Sequence, residues 1–241
     1  MSYLGSKAAS GVYQKIIAEM PPHDTYIETH LGSGAVMFFK PPAKRNYGAD
    51  LDETARRQTM QRWEAKGLKP PRIDFFHGDA VSFLESLKRP GVLDGVTCFE
   101  KLGNVLIYCD PPYMPETRTS RARYRHEYTV ADHERLLRCL MSLPENVSVI
   151  LSGYPSQLYD NTLTGWRTRE FQAMTRGGVR TEKIWMNYQE GRAYSHTFAG
   201  KDYNDRYRIK RKAKRWKEKF AALPSAERLA IMVELNEVDA G

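Results

Sequence analysis

Cysteine is nearly absent from this chain. Its three cysteines, Cys98, Cys109 and Cys139, are odd in number and no two stand in a C-x-x-C spacing. That argues against a disulfide framework and against a thiolate zinc site. We expect free, buried thiols and no metal. No run of 18 apolar residues occurs, so no membrane-spanning helix and no membrane partner are expected. The opening residues Met1 to Lys7 lack the apolar stretch of a signal peptide, which points to a cytoplasmic protein. Internal repeats and low-complexity tracts are missing as well, which excludes solenoid and fibrous classes.

What is present suits a globular α/β protein. The 241 residues are 41% hydrophobic and 27% charged, enough to bury a core. The net charge is +8 and it is concentrated. Between Arg206 and Lys219 nine Lys/Arg residues face a single acid, Glu218, which accounts for the whole excess. A localised basic segment is the footprint of a polyanionic partner, with a solvated helix face as the ordinary alternative.

Short apolar runs alternate with amphipathic stretches. Strands are expected at residues 25–28, 46–50, 73–77, 105–109, 147–151 and 183–188. Helices are expected to start at Ala35 and to cover about 52–66, 80–88 and 130–143. Val105 to Cys109 and Val147 to Leu151 are almost continuously apolar, as in strands buried on both faces of a parallel sheet. The alternation predicts a doubly wound α/β sheet, whose ligands bind beyond the carboxyl ends of the strands.

One such end carries Asp110-Pro111-Pro112-Tyr113. The two prolines fix φ, remove two N–H donors and stiffen the turn. What remains is rich in acceptors: the Asp110 carboxylate and the Pro111 carbonyl. An exocyclic amino group has two N–H donors and needs two acceptors. Binding both turns its conjugated nitrogen toward a geometry whose lone pair can attack, while Tyr113 offers a ring for the base to stack on.

A second strand end carries Gly32-Ser33-Gly34, where two glycines let the backbone approach a ligand. A third glycine at G-x-G-x-x-G spacing would fall at position 37, which is Met37. That argues against a dinucleotide pyrophosphate site. Asp50, ending the next strand, stands where such folds bind a ribose diol. Asp79 follows the third strand. Both acids also have the plain reading of helix N-caps.

These motifs, in this order, resemble the alpha-class, Dam-like N6-adenine DNA methyltransferases, in the short form carried by phages and prophages. The resemblance covers roughly residues 3 to 190. It implies a mostly parallel seven-stranded sheet of the S-adenosylmethionine-dependent methyltransferase type over residues 1–200; beyond it, charge and pattern predict a basic helical C-terminal extension over 201–241. It implies S-adenosylmethionine as cofactor, double-stranded DNA as partner, and Asp110, Pro111, Pro112 and Tyr113 as the catalytic turn. Tyr3-Leu4-Gly5-Ser6-Lys7 resembles the motif that holds the methionine part, which places Tyr3 and Lys7 at the cofactor. Glu28, His30, Gly32, Ser33 and Gly34 match the glycine-loop motif. Asp50 and Leu51 fall at the ribose, and Asp79 and Ala80 at the adenine of the cofactor. Arg180 to Tyr188 resembles the late motif near the target base. Two departures stand out. Thr29-His30 replaces the family's Pro-Phe, so His30 is read as a lining imidazole. Only about 30 residues separate Asp79 from Asp110, leaving no room for the usual recognition insert.

DNA contacts are therefore expected elsewhere. Arg118, Arg121, Arg123 and Arg125 directly follow the catalytic turn, with Tyr124 among them. Lys210, Arg211, Lys212 and Lys214 lie in the basic segment with Tyr207 and Trp216. Residues 225–238 read as an amphipathic helix that packs on the core or on another subunit, so a homodimer stays open. An RNA adenine methyltransferase and a non-catalytic nucleic-acid-binding module are the alternatives. Protein-glutamine methylation is disfavoured because its motif usually begins with Asn. No nuclease motif is present, so a nuclease of a restriction-modification pair would be a separate chain. If Arg206 to Lys219 grips phosphates, neutralising Lys210, Arg211, Lys212 and Lys214 flattens the dependence of log affinity on log salt, by up to about 0.9 for each lost contact. Binding to target and random duplexes then weakens alike. An unchanged slope in a salt titration identifies a solvated helix instead.

Overall fold

The fold follows from where apolar residues run together. A computed structural model describes residues 7–8, 11–89, 98–114, 126–175, 178–191, 194–195, 198–200 and 202–240. The strands are β1 (Thr25–Thr29), β2 (Arg45–Asp50), β3 (Asp74–His77), β4 (Val105–Cys109), β5 (Val147–Gly153), β6 (Arg167–Thr175) and β7 (Gly178–Met186). The helices are α1 (Val12–Ala18), α2 (Ala35–Phe39), α3 (Ala55–Glu64), α4 (Ala80–Leu87), α5 (Val130–Met141), α6 (Gln157–Thr162), α7 (Tyr203–Ala221) and α8 (Ser225–Ala240).

The strands form one seven-stranded sheet in the order β3-β2-β1-β4-β5-β7-β6. β3 through β5 are parallel; β7 runs antiparallel to both its neighbours. The predicted doubly wound, mostly parallel sheet is present. β1 and β4 are buried along their whole length; the apolar run of β4 fits a strand covered on both faces, while β1 buries Thr25, Glu28 and Thr29 as well.

Side chains alternate across the sheet with period two. Val105, Ile107 and Cys109 face one core with Phe83, Leu84 and Leu87 of α4 and Leu136, Leu137 and Leu140 of α5. Leu106 and Tyr108 face the other, with Ile16 and Ile17 of α1, Val36 of α2 and Trp63 of α3. Each fully buried side chain of this size stabilises the fold by roughly 1.5–3 kcal/mol. The three cysteines are buried free thiols, as expected.

The chain winds outward from β1 to β2 to β3, then returns across α4 to the opposite flank of β1 as β4. This reversal opens a crevice at the carboxyl ends of β1 and β4. The glycine loop follows β1, and the Asp110 turn follows β4.

Three elements escaped the sequence reading. α1 and α6 are short. β6 is an edge strand whose N-terminal half, Arg167-Thr168-Arg169-Glu170, is polar, so no apolar run announces it. It is held by charge: Arg167 pairs with Glu19 at 2.7 Å, and Arg169 pairs with the same carboxylate. The late strand also begins earlier than expected, at Gly178, and ends at Met186.

The C-terminal part is helical, as predicted. Asp202 caps α7 by accepting from the Asp205 amide at 2.8 Å, and no residue of α7 is buried. The expected packing of α8 on the core is not found: Leu229, Met232, Val233 and Leu235 are exposed. With Ile231 they lie all round the helix, so no single stripe faces the domain. Among the described residues, no helix is long and apolar enough to cross a membrane.

Gly34 starts α2 in the left-handed region, at φ 59°, and a Cβ there would lie 2.4 Å from Oγ1 of buried Thr59. Gly34→Ala combines left-handed strain of about 1–2 kcal/mol with overpacking of about 1–3 kcal/mol. For a chain of this size the melting temperature falls on the order of 10 °C. A melt superimposable on wild type, by calorimetry, shows that the loop does not need glycine there.

Candidate functional site

The loop after β1 is wound by three left-handed residues: His30 at φ 55°, Gly32 at 52° and Gly34 at 59°. His30 is the sole non-glycine with positive φ among the described residues. Asp50 fastens this loop to the one after β2. Its Oδ2 accepts from the Gly32 amide and its Oδ1 from the Asp52 amide, each at 2.7 Å. Burial pushes the Asp50 carboxyl up, and the two amides oppose this. A carboxylate has about four acceptor sites, so two remain after the amides are served.

Ser33 is held from outside the loop. Its Oγ accepts from Arg62 of α3 at 2.6 Å, and its carbonyl accepts from the same guanidinium. Nothing in the spacing of the sequence linked Arg62 to the loop. Glu28, buried at the end of β1, accepts from the Tyr26 hydroxyl at 2.9 Å. Burial raises its pKa to about 8; the Tyr26 bond opposes the shift and the Asp110 charge adds to it.

The structure gives His30 a different neighbour from the one sequence reasoning considered. Its Nε2 is hydrogen-bonded to the Tyr128 hydroxyl at 2.8 Å, and its Nδ1 to Thr29 Oγ1 at 3.1 Å. Burial lowers its pKa to about 4, so the ring is neutral at physiological pH. Tyr128 precedes α5, so this bond ties the glycine loop to the segment that leads into α5.

Asp79 is the N-cap of α4. Its Oδ1 accepts from the amide and hydroxyl of Ser82, both at 2.8 Å, and pairs with Arg135 at 2.8 Å. Burial raises its pKa, but these partners outweigh it and hold the carboxyl below the usual range. All three contacts fall on Oδ1, leaving Oδ2 with no partner among the described residues. Leu51 is exposed next to Asp50, and Ala80 is buried in the first turn of α4.

Beyond β4, Asp110 and Tyr113 converge on Lys7. The Lys7 ammonium donates to Asp110 Oδ1 at 2.8 Å and to the Tyr113 hydroxyl at 2.5 Å. Lys7 is 5% exposed. Burial pushes the Asp110 carboxyl up, and the adjacent ammonium works against that. Tyr113 donates in turn to Glu182 of β7 at 2.6 Å. Its ring meets Tyr154, just past β5, edge-on with centroids 4.5 Å apart. Pro111 is buried and Pro112 half-buried between them.

The structure thus brings Lys7, Asp110 and Tyr113 into one cluster, and Gly32 and Asp50 into another across the crevice. Tyr3, Arg118, Arg121, Arg123 and Arg125 lie outside the described residues. Lys210, Arg211, Lys212 and Lys214 are exposed on α7. There the Tyr203 and Tyr207 rings lie nearly parallel with centroids 6.5 Å apart, and the Arg211 guanidinium sits 5.8 Å from the Tyr207 ring. Arg62, Tyr128, Tyr154 and Glu182 were not singled out from sequence; of these only Glu182 stands in a motif, the one running from Arg180 to Tyr188.

No protein-family model and no curated protein matches the chain. Solved structures do. SMU.776, assigned as a methyltransferase and solved in complex with SAH, matches with a TM-score of 0.50 and 17% identity. The match covers 73% of this chain and 47% of that protein, so this chain spans about half its length. A SAM-dependent methyltransferase from Agrobacterium tumefaciens gives 0.46 and 16%, covering 72% and 58% of the two chains. An rRNA methylase from Streptococcus thermophilus gives 0.44 and 12%, covering 72% and 93%. The first of these shows that the chain shares the α/β fold of that protein.

The Asp50 clip makes a direct prediction. Asp50→Ala removes the acceptor of two buried amides. Each bond contributes about 1.5–3 kcal/mol as a bond to a charged group. Hydrogen exchange at Gly32 and Asp52 accelerates by at least about tenfold, while the amides of β4 keep their protection. Equal exchange in mutant and wild type removes Asp50 from its role as a clip.

Proposed function

We propose that this chain is an S-adenosylmethionine-dependent methyltransferase acting on the N6 amino group of adenine in double-stranded DNA. The observation that carries the reading is the Asp110-Pro111-Pro112-Tyr113 turn. It lies at the end of β4, across the crevice from the glycine loop, with its carboxylate oriented by Lys7. The shared fold is compatible with this reading, and so is the SAH held by SMU.776.

The residues around the crevice fit the cofactor's adenosine part. Asp50 retains acceptor sites suited to a ribose diol, and Asp79 Oδ2 suits an exocyclic amino group. A cofactor without phosphate needs no third glycine, in keeping with Met37. When bound, S-adenosylmethionine supplies an electrophilic methyl group on sulfonium.

The chain's own part is to bind and aim the nucleophile. Lys7 occupies Asp110 Oδ1, which fixes the plane of the carboxylate and favours its ionised, acceptor-only form. Asp110 and the Pro111 carbonyl then accept the two N–H bonds of the adenine amino group. Two acceptors draw electron density onto a nitrogen that ring conjugation otherwise deactivates. Alignment of this kind is a large rate term. Tyr113 and Tyr154 supply aromatic surface for a base drawn out of the helix, since an amino group within a stacked duplex is out of reach of the turn. DNA grip falls to α7, whose Lys and Arg are spaced for phosphates rather than for base edges. The fold and the turn apply equally to RNA, so substrate choice is a matter for measurement.

Asp110→Ala abolishes transfer, with a loss on the order of a hundredfold or more in rate, while cofactor binding stays largely intact. The measurement is labelled-methyl incorporation into duplex DNA and into RNA, followed by nucleoside analysis, beside calorimetric titration of the cofactor. Near wild-type turnover by the variant sinks the catalytic assignment. Label found in RNA alone, or on a base other than adenine, sinks the substrate assignment.

A further inference from the structure

Glu182 is a buried charge with no evident part in holding the fold. It lies in β7, opposite Phe171 of β6, one residue beyond the last β5–β7 pair, Gly153 with Lys183. It is 5% exposed. Burial pushes its carboxyl up; the Lys7 charge opposes this and the Asp110 charge reinforces it. An apolar residue of the same volume would satisfy this position at lower cost, because desolvating a carboxylate is expensive. What the carboxylate provides instead is a strong acceptor aimed at one atom.

That atom is the Tyr113 hydroxyl oxygen. It donates to Glu182 Oε2 at 2.6 Å, in the range of charge-assisted O–H···O bonds. The same oxygen accepts from Lys7 at 2.5 Å. Lys7 lies 3.8 Å from Glu182 and 2.8 Å from Asp110, so one ammonium is shared by two carboxylates. The far end of the tyrosine is therefore held on both sides. Its oxygen lies on the Cβ–Cγ axis, so the two partners fix where the far end of the ring sits, and the Tyr154 ring packed edge-on against it restrains rotation about that axis.

We infer that Glu182 is a positioning residue, which acts through the Tyr113 hydroxyl to fix the position of the ring on which the target base stacks and, by sharing Lys7, to set where that ammonium holds Asp110. This rests on the reading of the turn as the base-binding element. The strand carrying Glu182 is antiparallel and arrives from beyond β5, so the turn after β4 is buttressed from the side of the sheet away from the glycine loop.

The test is a double-mutant cycle in the full chain, with Tyr113→Phe, Glu182→Ala and their combination, and with Glu182→Gln as the conservative variant. Initial rates of labelled-methyl transfer to a duplex give kcat and KM, and calorimetry gives cofactor affinity. Each single substitution is expected to lower kcat by about ten- to a hundredfold, the worth of one charge-assisted bond. Cofactor affinity stays within about twofold. The double variant loses much less than the product of the two single losses, because the Tyr113–Glu182 bond is common to both. Glu182→Gln recovers part of the rate, since a carboxamide oxygen still accepts from the hydroxyl. Multiplying losses in the double variant, a wild-type kcat in Glu182→Ala, or a parallel fall of kcat and cofactor affinity overturns the proposal. If Glu182→Ala does not fold, the same cycle is run with Glu182→Gln. Thermal unfolding of the four proteins supplies a cycle that needs no substrate, and absence of coupling between positions 113 and 182 there also overturns it. A wild type that methylates a base other than adenine, or only RNA, counts against the substrate reading alone; the cycle is then measured on that substrate.

Discussion

A single buried ammonium joins parts of this molecule that lie far apart in sequence. Lys7 comes from before the first helix, Asp110 and Tyr113 from the turn after the central strand, and Glu182 from the antiparallel strand near the end of the sheet. Two carboxylates and a phenol in so small a buried volume repel one another and lose hydration. The cation makes the cluster tolerable, and the cluster in turn immobilises the cation. Removing one partner of such a buried pair leaves an uncompensated charge and typically costs about 3–5 kcal/mol. The acceptor-rich turn therefore depends on a residue a hundred positions away, and so does whatever the turn binds.

The other wall of the crevice follows a similar logic with backbone amides in place of an ammonium. The glycine loop turns its Gly32 amide toward Asp50, and the carboxylate bridges it to the Asp52 amide of the next loop. His30 departs from the resemblance and also adopts the left-handed region, which histidine enters more readily than bulkier residues do. Its bond to Tyr128 replaces an apolar wall with a polar strut. That strut connects the glycine loop to the chain segment leading into α5, so the two are mechanically linked.

The C-terminal helices obey different physics. α7 has no buried residue and carries the net charge of the protein; α8 exposes apolar side chains on several sides. Neither draws its position from the core. A helix with the composition of α7 is sustained by its cap at Asp202 and by i,i+3 and i,i+4 pairs such as Asp205 with Arg208 and Lys214 with Glu218. Its charge is therefore free to act at a distance, unneutralised by the body of the protein.

The sequence alone determined the sheet and its doubly wound character, because those depend on short-range patterns. Val105 to Cys109 is readable as a strand buried on both faces, and the Asp110 turn is readable from two prolines and an acceptor. Gly32, Gly34, Asp50 and Asp79 are readable from their places at strand ends. β6 was not legible, because a charged edge strand held by Glu19 has no apolar signature. α8 looked like a packing helix, since composition reveals a helix's apolar content but not which neighbour lies within reach. Only the tertiary structure decided that Lys7 grips the Asp110 turn, that Arg62 holds Ser33, that Asp79 caps a helix through Oδ1, and that Glu182 faces Tyr113. Each of these is a contact between residues tens to more than a hundred positions apart, or a choice between two oxygens of one carboxylate. Such choices are set by the distance and direction in which the sheet presents its strands, and neither has any counterpart in spacing along the chain.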